Sequence, residues 1–163
     1  MIQRIQSVYL VLIILIVATL CSINVLHLVF VEPEPEAKTT EYFLNLFYFT
    51  VKQNDRLIES HLQYGLIFLS SIVMGLSIYV LLNFKNRKKQ ILFTNVNLLA
   101  IVILITAFTV KPYLFVPNFS SEKLMLNSVI GMALFIFMLY LNVRVYYLIK
   151  KDEDLVRSAD RIR

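Results

Sequence analysis

The stretch LQYGLIFLSSIVMGLSIYVLLNFKNRKKQILFTNVNLLAIVILITAFTV, residues 62–110, contains two long apolar runs joined by a short basic link. A helix needs about 20 apolar residues to cross a hydrocarbon core of about 30 Å, and the runs 62–84 and 91–110 reach that length. The link, KNRKKQ at 85–90, is short enough to permit only a tight antiparallel turn between neighbouring helices. These residues therefore predict a hairpin of two transmembrane helices.

Two further apolar runs flank this hairpin, at 8–31 and 124–149. The first is too long for the apolar core of a secretory signal, which spans about 7 to 15 residues. The composition also agrees with a bilayer as solvent, because 58% of the residues are hydrophobic and the mean hydropathy is +0.71. We predict an all-α membrane protein, an up-down bundle of four transmembrane helices within residues 1–149, with spans at about 8–31, 62–84, 91–110 and 124–149.

The basic residues are distributed unevenly along the chain. Most of the 16 lysine and arginine residues lie near the N-terminus, in the link 85–90 and in the tail 150–163, which a four-span chain places on one side of the membrane. An excess of lysine and arginine marks the cytoplasmic side, so both termini are predicted to be cytoplasmic. The basic excess therefore reflects topology and lipid contact, and no nucleic-acid partner is predicted. The predicted membrane-surface residues are Lys85, Arg87, Lys88, Lys89, Arg144, Lys150 and Lys151.

The outer loop at 32–61 is the longest segment outside the four runs. It opens with EPEPEAKTT at 32–40, where alternating prolines prevent both helix and ladder hydrogen bonding. The following EYFLNLFYFTV, at 41–51, is rich in aromatic and β-branched residues but too short to cross a membrane as a helix. We therefore predict a short strand, or a segment lying at the membrane interface, on the outer face.

No arrangement of residues in the sequence indicates catalysis. The four runs contain no Asp, Glu or Lys, the groups that usually mark ion-coupled transport inside a membrane. Cys21 is the only cysteine, so no intramolecular disulfide can form. His27 and His61 fall near one predicted depth and could in principle bind haem or a metal, but histidines located at the headgroup region of the interface are far commoner. The sequence therefore predicts a protein that is not an enzyme and carries no cofactor.

The polar residues inside the predicted spans are neutral and mostly small. Ser71 and Gly75 have the spacing of small residues that lets two helices approach closely, and amides can form hydrogen bonds between helices. Packing therefore accounts for them. The alternative is a polar cavity, lined by Asn95 and Asn97, that holds a lipid or quinone headgroup.

The tail KKDEDLVRSADRIR, residues 150–163, contains neither proline nor glycine and is predicted to be an amphipathic cytoplasmic helix. Its apolar residues follow helical spacing, and Glu153 precedes Arg157 by four residues, the favourable order for an ion pair. Because acidic and basic residues are mixed, protein binding is favoured over attraction to an anionic membrane. The predicted partner-binding residues are Leu155, Val156, Arg157, Ala159, Asp160 and Ile162.

Three segments resemble one known family: MIQRIQSVYL at 1–10, FKNRKKQ at 84–90 and IKKDEDLVRSADRIR at 149–163. They are similar to the four-span membrane proteins of Bacteroidota catalogued as domain of unknown function family 4293. The resemblance implies a multi-pass protein of the bacterial inner (cytoplasmic) membrane. It implies no activity, and no catalytic residues are carried over from it.

Two hypotheses about function follow from these observations. The first is a non-enzymatic membrane subunit or accessory protein whose C-terminal helix docks a partner protein at the cytoplasmic face. The second is a small transporter, or a lipid- or quinone-binding protein, with a neutral polar cavity between its helices.

Overall fold

A computed structural model describes residues 2–31, 39–54, 56–84, 86–115 and 126–161. The described chain forms four helices and four strands. In chain order they are α1 (Ile2–Ser22), β1 (Leu26–Val31), β2 (Thr39–Leu44), β3 (Tyr48–Gln53), β4 (Arg56–Leu62), α2 (Tyr64–Leu82), α3 (Arg87–Phe115) and α4 (Leu126–Arg161).

The four helices form a bundle in which each packs against the next along the chain, and α4 closes the ring by packing against α1. Each contains a segment long and apolar enough to cross a membrane. Their outward faces are apolar as well, since Phe68, Leu99 and Ile136 are exposed by 67%, 62% and 70%. A helix that is apolar on both its inner and outer faces is typical of a membrane span.

The core of the bundle is built from residues that recur every three or four positions along each helix. On α3 the buried side chains include Ile101, Leu104 and Phe108, and the ring of Phe108 lies 5.1 Å from that of Phe135 on α4. Leu20 contributes from α1 in the same way. This spacing places one stripe of each helix toward the bundle axis.

The structure corrects the predicted limits of the first apolar run, 8–31. Helix α1 ends at Ser22, and the chain turns and continues as strand β1. The segment LHLVFV pairs with β2 over its whole length, from Leu26 opposite Leu44 to Val31 opposite Thr39. An apolar segment with β-branched residues is compatible with either a helix or a strand, so the available pairing partner decides between them.

The outer segment forms a four-stranded antiparallel sheet in the order β1-β2-β3-β4, where the sequence predicted a single short strand or an interfacial segment. Asn54 turns the chain between β3 and β4 with a φ of 48°, a conformation that asparagine tolerates well. The β3–β4 ladder contains an irregularity between Val51 and Lys52. All seven residues of β4 are exposed, so this strand forms an outer edge of the sheet.

Strand β1 attaches the sheet to the bundle. Ser128 on α4 accepts a hydrogen bond from the His27 backbone N–H at 2.9 Å and donates one to the His27 carbonyl at 3.2 Å. Next to it, Gly131 lies so close to Val25 that a Cβ there would be 2.5 Å from the Val25 Cγ1 atom. The glycine that allows α4 to approach the start of β1 closely is therefore Gly131. The predicted pair, Ser71 and Gly75, lies on the exposed face of α2.

The remaining helices differ from their predicted limits by a few residues. The run 62–84 contains α2 at Tyr64–Leu82, and the run 91–110 is extended at both ends to α3 at Arg87–Phe115, with Pro112 inside the helix. The predicted span 124–149 and the tail 150–163 form one continuous helix, α4, through Arg161. The tail is therefore a direct extension of a bundle helix, with no hinge between them.

Candidate functional site

The two ends of the bundle differ. We call the end with the α2–α3 connection and the C-terminal part of α4 the link end, and the opposite end the sheet end. At the link end, Arg87 on α3 contacts Asp152 on α4. Its Nη2 atom lies 3.3 Å from the Asp152 Oδ2 atom, and its Nη1 donates a hydrogen bond to the Asp152 carbonyl at 3.0 Å. A guanidinium has enough donors for both contacts, so this one side chain ties the start of α3 to the extension of α4.

The Arg87–Asp152 contact is partly shielded from solvent, with side-chain exposures of 27% and 18%. The contact joins two residues far apart in sequence, and the distribution of charge along the chain did not predict it. The sequence predicted that Arg87 lies at the membrane surface together with Lys88 and Lys89. Nothing in the charge pattern distinguished Arg87 from these two neighbours.

Beyond this contact, α4 presents two apolar side chains outward. Leu155 is 52% exposed and Val156 is 43% exposed. Arg157, Ala159 and Asp160 lie on the same helix, but their side chains are outside the description, and Ile162 lies outside the described residues. Of the predicted partner-binding residues, Leu155 and Val156 are therefore the two whose exposure the structure describes.

One side of α4 also forms a shallow groove of about 420 Å³ at the link end. The lining side chains are spaced three or four residues apart along the helix, which places them on one face. They combine an aromatic ring, two ammonium groups, a carboxylate and an aliphatic side chain. These residues are Tyr147, Lys150, Lys151, Asp154 and Leu155.

The predicted membrane-surface residues divide into two groups. Those on α3 and α4 that are exposed are Lys88, Lys89, Arg144, Lys150 and Lys151. Arg87 contacts Asp152, and Lys85 lies outside the described residues. The exposed basic side chains lie on α3 and α4 toward the link end, while the ion pair joins these two helices.

The two residues of the predicted cavity lie on opposite sides of α3. Asn95 is exposed on the outward face, whereas Asn97 is fully buried, and its Nδ2 donates a hydrogen bond to the Ser77 hydroxyl at 3.0 Å. Residues two apart on a helix do not share a face, so the structure does not bring these amides to one cavity. Instead, the fully buried amide on the neighbouring helix is Asn142. No sequence signal marks this position, because α4 is apolar on both its inner and outer faces around Asn142.

The two histidines also lie apart. His27 is on β1 and His61 on β4, at opposite edges of the sheet and separated by three strand spacings of about 4.8 Å. His27 stacks on Phe43 and lies 3.4 Å from a carboxylate oxygen of Glu41, whereas His61 lies 3.3 Å from Glu59. A site that uses both imidazoles as ligands of one metal or haem is therefore not formed.

The fold defines a class: a four-helix bundle of membrane-spanning dimensions with a four-stranded antiparallel sheet at one end. The chain belongs to the family described as Domain of unknown function (DUF4293), whose model matches residues 2–162. The resemblance seen in three segments is thereby confirmed over nearly the whole chain. No curated protein matches it.

Proposed function

We propose that this chain is a non-enzymatic multi-pass protein of the bacterial inner membrane that binds a partner protein at the cytoplasmic face. The observation that carries the proposal is the exposure of Leu155 and Val156 on a helix held in place by the Arg87–Asp152 contact. A helix that is already formed and oriented loses little conformational entropy on binding, which favours docking.

The proposed orientation places the link end in the cytoplasm. The exposed bases Lys88, Lys89, Lys150 and Lys151 lie at that end, as the positive-inside rule expects. Arg144 lies six residues before Lys150, about 9 Å along a helix, so its guanidinium can reach the headgroup region of the same leaflet.

The proposed partner accepts the exposed side of a helix in an apolar groove. Leu155 and Val156 supply the apolar contact, and the adjacent Lys150, Lys151 and Asp154 supply a rim of mixed charge. A rim with both signs of charge favours one register of docking, because a shifted partner would place like charges together.

The test replaces Leu155 and Val156 with Asp. Removing two apolar contacts and placing carboxylates in the interface should weaken partner binding by more than about a hundredfold. The matched control replaces Lys88 and Lys89 with Gln, which should weaken attraction to anionic lipid by about 1 kcal/mol per charge and leave the protein contact in place, because both residues lie on α3 outside the proposed docking surface.

The measurement is quantitative affinity purification in mild detergent with mass spectrometry, at matched expression of the wild type and both variants. The expected result is a partner retained by the wild type and the Gln variant and lost from the Asp variant. Retention of every copurifying protein by the Asp variant would contradict the docking role.

The second candidate function is binding of a lipid or quinone headgroup between the helices. It is favoured by the buried amide of Asn142 and the Oδ1 atom of Asn97, which have no hydrogen-bond partner in the described part of the chain. Native mass spectrometry would reveal a lipid or quinone that stays bound to the wild type and is released from a variant with Leu at both positions.

A further inference from the structure

The buried stripe of α3 changes character along its length. Gln90, Thr94 and Asn97 occupy successive core positions and are exposed by 6%, 1% and 0%. The same stripe continues toward the sheet end with Ile101 and Leu104, which are fully buried. The buried stripe of α3 is therefore polar in the half nearer the link end and apolar in the other half.

Asn142 on α4 lies within about one helical turn of the depth of Asn97. Asn97 follows Arg87 by ten residues, and Asn142 precedes Asp152 by ten residues. Because Arg87 contacts Asp152 and the two helices are antiparallel neighbours, both amides lie about 15 Å from that contact along the bundle axis. Both side chains are fully buried in the core.

Hydrogen bonding at this level is incomplete. Asn97 Nδ2 donates to the Ser77 hydroxyl, which in turn donates to the Val73 carbonyl at 2.8 Å. The Oδ1 atom of Asn97 and both amide atoms of Asn142 have no partner among the described residues. Buried amides almost always have partners, because an unpaired one loses its hydrogen bonds to water without replacement.

The missing partner must both donate and accept hydrogen bonds, since the unpaired atoms are two carbonyl oxygens and one amide nitrogen. It must also be small, because Ser77, Asn97 and Asn142 are each 0% exposed. Water meets both requirements, and buried water typically makes about three hydrogen bonds to such groups.

We propose that Asn97 and Asn142 form a binding site for ordered water inside the bundle, between α3 and α4. The water donates to the two Oδ1 atoms and accepts from Asn142 Nδ2, and through Asn97 this links Asn142 to Ser77 on α2. The site joins three helices by hydrogen bonds at a level where apolar packing is interrupted.

The test is nuclear magnetic resonance on the full chain in lipid nanodiscs, with asparagine labelled with ¹⁵N. The side-chain amide of Asn142 should show a direct Overhauser transfer from water of long residence time. Asn95, exposed on the outward face of the same level of α3, is the control and should show transfer from lipid acyl chains. Asn142→Gln and Asn142→Leu each remove the side-chain amide resonance of Asn142. Whichever of these variants folds therefore assigns that resonance.

The other outcomes overturn the proposal. Transfer between the Asn142 and Asn97 side chains without transfer from water would indicate a direct amide–amide hydrogen bond. Transfer from lipid or quinone headgroup protons would show that a headgroup, and not water, occupies the site. In the Asn142→Leu variant, the transfer from water to the neighbouring Asn97 amide should be lost, and its persistence would also contradict the water site.

Discussion

At the scale of single residues, Gly131 is the glycine at which an added side chain is least tolerated. An added Cβ would lie 2.5 Å from Val25 Cγ1 and 2.7 Å from the Val25 carbonyl oxygen. We expect Gly131→Ala to lower the free energy of unfolding by about 1–3 kcal/mol because β1 must move away from α4. The control is Gly75→Ala, where nothing lies within 4 Å and the better helix propensity of alanine should stabilise by up to about 1 kcal/mol. Chemical unfolding in detergent measures both, and equal effects would contradict this packing.

Ser128 gives a second prediction at the residue scale. Its hydroxyl satisfies both backbone groups of His27, so Ser128→Ala should leave an N–H and a carbonyl unpaired and destabilise by about 1–3 kcal/mol. Ser71→Ala is the matched control, since the Ser71 hydroxyl bonds only the Ile67 carbonyl of its own helix on an exposed face. The same unfolding measurement applies, and a Ser128 effect no larger than that of Ser71 would argue against the attachment of β1 to α4.

At the scale of elements, the extension of α4 depends on its contact with α3. Arg87→Gln should increase amide hydrogen exchange in residues 150–161, because the extension of α4 loses the ion pair and the guanidinium hydrogen bond that Arg87 makes with Asp152. The contact is partly exposed, so we expect a loss of protection of no more than about 1 kcal/mol. Lys88→Gln, at an exposed neighbouring position, should leave exchange unchanged. The double variant Arg87→Asp with Asp152→Arg, which swaps the two charges, should restore part of the protection. Equal rates of amide hydrogen exchange in all variants would contradict the contact.

The elements also differ in how far local sequence predicts them. Helices α2 and α3 follow from long apolar runs, and their limits agree with the prediction within a few residues. Strand β1 does not, because LHLVFV continues the apolar run of α1 and only its pairing with β2 and contact with Ser128 separate it from that helix. The residues of β4 show no such apolar run, so their pairing with β3 became evident only in the fold.

At the scale of the whole molecule, the proposed topology makes a direct prediction. Reporters fused after Gln90 and after Arg163 should both register as cytoplasmic, and a reporter inserted near Lys52 should register on the opposite side. The physical reason is the concentration of basic residues at the link end, which are retained in the cytoplasm during insertion. An opposite result at any one position would overturn the orientation, because one span separates Lys52 from Gln90 and two spans separate Gln90 from Arg163.

The sequence by itself determined the number and order of the helices long and apolar enough to span a membrane, and the concentration of basic residues at the link end. These follow from run length and charge, which are properties of short segments that do not depend on distant contacts. Only the tertiary structure decided that Asn97 faces inward to Ser77 while Asn95 faces outward, and that Arg87 meets Asp152. In a helix that is apolar all round, no amphipathic pattern marks the buried face. Its orientation is therefore set by packing against neighbouring helices.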